Sequence, residues 1–291
     1  MVDIPGYTIN TKIAEGACAE IYVGVDRSTG AMVCIKRLHQ RHIANGKEYR
    51  RLRREGKLGL RLGQHENIVQ VLKIGNDGTL PYLVLEYVKG RSLREILVEK
   101  KQFADVDVLR VGMALAQGLR FLHKYGVCHK DVKPDNIMVT EGGVAKLLDF
   151  GFAEDFRAFR LFRPSLEGSL PYMAPEMFVS KRGTPKTDMY ALGCTLYECA
   201  AGFQPFGGMS DAEIAAKQTN PRLAPPPLRQ ANRAISVFTE NTILTALQKD
   251  PAKRFQSADE VLLDVARNPI LRAAPGMRLF RNEPSAEKPR P

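Results

Sequence analysis

The spacing of apolar residues changes near Gly90, and that change limits the possible folds more than any other feature of the chain. Before it, Glu20–Val25, Met32–Leu38, Ile68–Ile74 and Tyr82–Tyr87 are short runs rich in Val, Ile, Leu and Tyr, the make-up of strands. Ser28-Thr29-Gly30 and Asn76-Asp77-Gly78 supply the turn residues that hairpins need. In this part only Gly46–Leu62 carries helical spacing. After Gly90, the runs Leu93–Val98, Val106–Tyr125, Asp188–Ala201, Asp211–Lys217, Ile235–Gln248 and Ala258–Arg267 read as helices. Strands gathered in a small first part and helices in a larger second part predict an α+β fold of two lobes.

With 291 residues, 44% of them hydrophobic, the chain is long enough for a large buried core in one or two lobes. No stretch approaches the roughly 20 apolar residues that span a bilayer, so no membrane segment is expected. Met1 to Gly6 lacks the basic and apolar runs of a signal peptide. The five cysteines are scattered without a C-x-x-C pair, which predicts free thiols in a reducing, cytoplasmic setting.

The net charge is +11, and part of it is concentrated in Lys36, Arg37, Arg41, Lys47, Arg50, Arg51, Arg53, Arg54, Lys57 and Arg61. This basic 36–61 surface is either a dock for an acidic partner or a solvated helix face. Tyr49 is the sole aromatic residue among these charges, so a nucleic-acid groove is not expected. From Pro269 the chain is of mixed charge and carries Pro275, Pro284, Pro289 and Pro291. Residues 269–291 are predicted to be a mostly disordered tail.

Two short segments carry chemistry. His129-Lys130-Asp131-Val132-Lys133-Pro134-Asp135-Asn136 places an acid, a lysine and an amide on one loop. Phosphoryl transfer needs such a set: a carboxylate for the substrate hydroxyl, a cation for the moving phosphate and an oxygen for a metal. Asp149-Phe150-Gly151 follows the apolar run Val144–Leu148, and an acid at the end of a buried strand is well placed to bind Mg²⁺.

In order and spacing these segments resemble the signature set of the eukaryotic-like Ser/Thr protein kinases, over about Tyr7 to Arg267. The resemblance implies a kinase domain over residues 1–268, with an N-lobe of about 1–86 and a C-lobe of about 91–268. It implies transfer of phosphate from ATP, with Mg²⁺, to serine and threonine hydroxyls of protein substrates, and autophosphorylation. The catalytic residues would be Lys36, Glu55, Asp131 and Lys133, and the metal ligands Asn136 and Asp149. The nucleotide would contact Ile13, Ala14, Gly16, Ile21, Lys36, Leu85, Glu86 and Val88, with the backbone of Glu86 and Val88 holding the purine.

Lys36 lies in Val33-Cys34-Ile35-Lys36, which matches the family's third strand, and Cys34 is expected to pack on the adenine. Glu55 is the implied partner of Lys36 because it shares a helical face with Leu52, Gly59 and Leu62, and Glu48 is the alternative. Gly56 and Gly59 weaken that helix by about 1 kcal/mol each, which suggests a helix easily displaced. The family's G-x-G-x-x-G is here Ala14-Glu15-Gly16-Ala17-Cys18-Ala19, so only Gly16 survives. Glycine lets the backbone approach the phosphates and adopt φ > 0, and alanine is its smallest replacement, so a functional but stiffer phosphate loop is expected. Cys18 is either a redox-sensitive thiol or a small exposed residue.

Gly168-Ser169-Leu170-Pro171-Tyr172-Met173-Ala174-Pro175-Glu176 resembles the end of the family's activation segment and favours a protein substrate. Ser169 would bond Asp131 and Lys133, or be an ordinary turn serine. Asp188 would hold the catalytic-loop backbone, Arg254 would pair with Glu176, and His129 would pack under Phe150. Ser165 stands where the family carries an activating phosphate, with Lys130 or Arg157, Arg160 and Arg163 to grip it. The alternatives to an active protein kinase are a nucleotide-binding pseudokinase scaffold and a small-molecule phosphotransferase.

Overall fold

The structure is a computed structural model and describes residues 3–43, 46–157, 166–274 and 278–280. In the N-lobe the chain forms β1 (Tyr7–Glu15), β2 (Ala19–Asp26), β3 (Met32–Leu38), α1 (Gly46–Leu62), β4 (Val71–Asn76) and β5 (Pro81–Glu86). β6 (Gly90–Ser92), α2 (Leu93–Lys100), α3 (Asp105–Lys124), β7 (Val127–Cys128), β8 (Ile137–Thr140), β9 (Ala145–Leu147) and β10 (Glu154–Asp155) follow. The rest is helical: α4 (Met177–Ser180), α5 (Pro185–Ala201), α6 (Asp211–Thr219), α7 (Leu228–Ala231), α8 (Val237–Ala246), α9 (Ala258–Arg267) and α10 (Pro269–Ala273).

The first five strands make one antiparallel sheet in the order β1-β2-β3-β5-β4. Its register sorts the side chains by parity. Tyr22, Val33, Ile35, Tyr82 and Val84 share the outer face and pack with Ile4 and Tyr7. Ile21, Lys36 and Leu83 fall on the other face, as do Val23, Cys34 and Leu85. β1 lies outside the strands that apolar spacing predicts, because almost all of it is an exposed edge with no buried stripe to read.

α1 packs on that second face, with Leu52 joining Leu38 and Leu83. Its two glycines have a packing reason. A Cβ on Gly59 would lie 2.0 Å from Val71 Cγ2, and one on Gly56 would lie 2.5 Å from Leu83 Cδ2. The helix therefore sits closer to the sheet than any side chain at these positions allows.

The C-lobe is built around α5, which is buried at every position from Thr187 to Ala201. It packs with α3 and α8, and α3 in turn meets β9, in one continuous apolar core. Arg254, with a fully buried side chain, makes a two-pronged pair with Glu176 at 2.8 and 3.1 Å. Such a pair fixes the segment that enters α4, because Arg254 alone would be a buried, unneutralised charge.

The chain beyond Pro269 departs from the expected disorder. Asn268 caps α10, and Leu279 is buried with its amide donating to the Gly143 carbonyl at 2.8 Å. Phe280 meets Phe103 edge to face at 5.1 Å. The mixed charge of this segment conceals two apolar residues that find a groove on the C-lobe, and burying them outweighs the ordering cost. Residues 275–277 and 281–291 lie outside the described residues.

Candidate active site

Three segments meet where β3 faces the chain leaving β9. Lys36 Nζ lies 2.8 and 2.9 Å from the two carboxylate oxygens of Glu55 and 3.0 Å from Asp149 Oδ1. Glu48 turns elsewhere, towards Arg51 at 3.5 Å and the Cys18 thiol. Of the two glutamates, the buried Glu55 is the one that pairs with Lys36.

The charges in this cluster depend on one another. Burial pulls the Lys36 ammonium down, but Glu55 and Asp149 outweigh it and hold its pKa above the ordinary value. Burial pushes Asp149 up, yet Lys36, the Gly151 amide and Arg51 keep it below the usual carboxylate range. Glu55 goes the other way: burial, aided by the negative charge of Asp149, raises it to about 7 against the pull of Lys36. Asp149 also sits at φ 54°, a left-handed conformation that costs a non-glycine residue energy.

The catalytic-loop segment is held from below. Asp188 is wholly buried in α5 and accepts the amides of His129 and Lys130, both at 2.9 Å. His129 donates through Nε2 to the Leu148 carbonyl at 2.8 Å and accepts the Asp131 amide at 3.3 Å. Its ring lies 5.9 Å from that of Phe150. Lys130, at φ 68°, reaches Glu154 in β10 at 2.9 Å, with both side chains buried.

Asp131 gathers the remaining groups. It accepts Asn136 Nδ2 at 2.7 Å and the Ser169 amide at 2.9 Å, and Lys133 lies 3.1 Å away. Lys133 also donates to Ser169 Oγ at 2.6 Å. Asn136 spends its amide nitrogen on Asp131, so its Oδ1 keeps its lone pairs, and Asp149 keeps Oδ2. Two hard oxygen donors of this kind fit Mg²⁺, which takes few protein ligands and retains water.

Around this centre the other sequence-predicted residues line one side of the sheet. Ile21 stands opposite Lys36 and Ala14, and Leu85 stands opposite Cys34. Ile13 is exposed near the end of β1, Gly16 is exposed in the β1–β2 loop, and Val88 is buried just past β5. The Glu86 side chain points away to Lys146 at 2.9 Å, which leaves only its backbone for a ligand in the cleft. Ser165, Arg160 and Arg163 lie outside the described residues.

The β1–β2 loop is not held by glycine's freedom. Among the described residues none from Ala14 to Ala19 has a left-handed φ, and a Cβ on Gly16 would meet nothing nearer than the Ala19 carbonyl at 3.4 Å. Alanine and cysteine therefore fit without strain. Burial and the bond to Glu48 raise the Cys18 pKa, which argues against an activated thiol.

Several functional neighbours escape a reading of the sequence. Val23 pairs with Cys34 on the cleft face, and strand parity from Ile21 would have found it. Arg51 places its guanidinium carbon 3.6 Å from the Phe152 ring centroid and donates to the Gly151 carbonyl at 3.0 Å. Arg94 joins Glu198 at 2.7 Å and Asp135 at 3.1 Å, and Glu198 also accepts the Tyr172 hydroxyl at 2.5 Å. No local pattern signals these contacts, since Arg51 and Gly151 stand 100 residues apart and Arg94 and Glu198 104.

Comparison with known proteins agrees with this geometry. The model of the protein kinase domain matches residues 7–264. A probable serine/threonine-protein kinase of Clostridium perfringens is 33% identical over 262 residues, covering 90% of this chain and 38% of that protein. The probable serine/threonine-protein kinase PknB of Corynebacterium glutamicum is 33% identical over 271 residues, covering 90% and 42%. The serine/threonine-protein kinase PrkC of Bacillus subtilis is 31% identical over 260 residues, covering 89% and 40%. The chain thus spans about two fifths of the length of these relatives.

Proposed function

The chain belongs to the protein kinase family, and from that premise we propose that it transfers the γ-phosphate of ATP to serine and threonine hydroxyls of protein substrates, its own included. The observation that carries the reading is the single cluster in which Lys36, Glu55 and Asp149 meet across the two lobes, beside Asp131 and Asn136. The chain carries Lys36, Glu55, Asp131, Asn136 and Asp149 together, which supports catalysis over a nucleotide-binding scaffold.

Catalysis in such a site is positioning and charge neutralisation. Lys36, kept cationic and aimed by Glu55, holds the α- and β-phosphates. Ile21, Val23, Cys34 and Leu85 wall the adenine, and the backbone of Glu86 and Val88 bonds its edge. Asp149 and Asn136 would hold Mg²⁺, which would supply positive charge to neutralise the phosphate oxygens. Asp131 accepts the proton of the attacking hydroxyl, held in place by Asn136 and the Ser169 amide. Lys133, bridging Asp131 and Ser169, covers the transferring phosphate.

Two further assignments follow. The α1 cations left exposed, Arg50, Arg53, Arg54 and Lys57, are the surface for an acidic partner, whereas Lys36, Arg37 and Arg51 are engaged inside the fold. No helix among the described residues is long and apolar enough to cross a membrane, and all five cysteines are free thiols. Both features support a catalytic domain working in the cytoplasm.

The test is to incubate the purified chain with Mg²⁺, γ-labelled ATP and a degenerate peptide library. Label on seryl and threonyl peptides is expected, with Asp131→Asn slower by about 10²–10⁴-fold, the usual contribution of a positioned base. Nucleotide binding without label on any peptide or on the chain refutes the reading.

A further inference from the structure

Three side chains from the short segment between β3 and α1 reach across to the phosphate loop. His39 Nε2 donates to the Gly16 carbonyl at 2.9 Å, and the His39 amide donates to the Cys18 carbonyl at 3.0 Å. Arg41 and His42 both donate to the Ala17 carbonyl, at 2.9 and 3.0 Å. Three consecutive loop carbonyls are thereby engaged by residues 39–42. The loop's own closure is one bond, from the Gly16 amide to the Ala19 carbonyl at 2.9 Å.

A planar trans peptide points its N–H opposite to its C=O. With carbonyls 16, 17 and 18 turned towards the clasp, the amides of Ala17, Cys18 and Ala19 face away from it. Those of Ala17 and Cys18 donate to no protein acceptor among the described residues. Consecutive free amides on one side of a loop form a cradle for an anion. The loop's conformation is one that any residue adopts, so what keeps the cradle formed comes from outside it.

We propose that His39, Arg41 and His42 are positioning residues that clasp the glycine-poor phosphate loop closed over the phosphates of ATP. The inference rests on the ATP-dependent reading above. A loop held in its binding conformation binds at full strength, and a loop that visits other conformations binds more weakly by the fraction of time it is competent. Losing the clasp therefore weakens nucleotide binding and leaves the chemical step alone.

Two substitutions isolate the donors. His39→Phe keeps a ring of similar size and removes both nitrogens, whereas His39→Gln keeps a donor. The double variant Arg41→Met/His42→Phe acts at one exposed and one half-buried surface position, outside the core, so it should fold even if His39→Phe folds poorly. KM for MgATP, KM for a substrate peptide and kcat are measured, together with the Kd of a fluorescent ribose-labelled ATP. His39→Phe and the double variant are expected to raise KM and Kd for nucleotide about five- to tenfold, the worth of one to two hydrogen bonds. Peptide KM and kcat stay within about twofold, and His39→Gln behaves as wild type. Unchanged nucleotide constants overturn the proposal, and so does His39→Gln as weak as His39→Phe or a fall in kcat with KM intact. If the wild-type chain binds the labelled nucleotide but transfers no phosphate, the kinase reading falls and the Kd values alone decide the clasp.

Discussion

Gly59→Ala discriminates between two accounts of α1. Glycine inside a helix costs about 1 kcal/mol relative to alanine, so propensity alone predicts a firmer helix and an enzyme at least as active. The packing predicts the reverse. The new Cβ would stand 2.0 Å from Val71 Cγ2 and 2.7 Å from Val71 Cβ. The second contact is with an atom that no rotamer change moves, so the helix itself must retreat. Ordinary contact begins near 3.4 Å, so even with the Val71 side chain rotated the helix must retreat by about 0.7 Å. Glu55 lies one turn earlier on the same face, 2.8 and 2.9 Å from Lys36. A shift of that size takes the pair to about 3.5 Å, the edge of hydrogen-bond range. Misplacement by about 1 Å costs up to about 10²-fold in rate, and overpacking costs about 1–3 kcal/mol in stability. Steady-state kinetics with MgATP and a peptide, together with thermal melting, measure both. Val71→Ala removes the clashing methyls, and the double variant should recover most of the activity lost in Gly59→Ala. Gly59→Ala with activity within twofold of wild type, or a double variant no better than the single, refutes the packing account.

Glu55, with its pKa near 7, should place an acid limb in kcat/KM, since activity needs its carboxylate and falls as pH drops through about 7. Glu55→Gln should lack that limb. Stability moves oppositely: the folded state holds this proton up to about pH 7 while the unfolded chain releases it near the ordinary glutamate value. The Glu55 contribution is therefore present at low pH and lost as pH rises through about 7, which urea titrations of wild type and Glu55→Gln would resolve. Glu176→Leu leaves the buried Arg254 without its partner and should cost about 3–5 kcal/mol, read as a Tm lower by roughly 6–20 °C. Ser165→Ala, made without prior phosphorylation, should keep activity within about twofold. Lys130, the cation next to Asp131, is already neutralised by Glu154 and needs no phosphate. A large loss of activity in that variant would mean that the Lys130–Glu154 pair does not substitute for a phosphate.

Much of this protein is legible from local pattern. Gly46–Leu62 and Ala258–Arg267 fall on the spacing of their apolar residues, and Met32–Leu38 on its β-rich composition. Asp131, Lys133 and Asn136 share eight residues of loop, so their meeting is dictated by a short stretch of backbone. Short elements such as α4 and α7 escape notice, because one helical turn carries no period to detect.

The sequence by itself determined the two lobes, the catalytic loop and the kinds of residue at the centre, because periodicity and turn chemistry act over a few neighbouring positions. Only the tertiary structure decided between Glu48 and Glu55, since that depends on which face of α1 the sheet accepts at the two glycines. It also seated Leu279 and Phe280 on the C-lobe, and it brought His39, Arg41 and His42 over a loop that lacks the family's glycines. In each case the partners are distant in sequence, and what pairs them is the burial of apolar surface and the demand that enclosed polar groups be satisfied, neither of which is written at any single position.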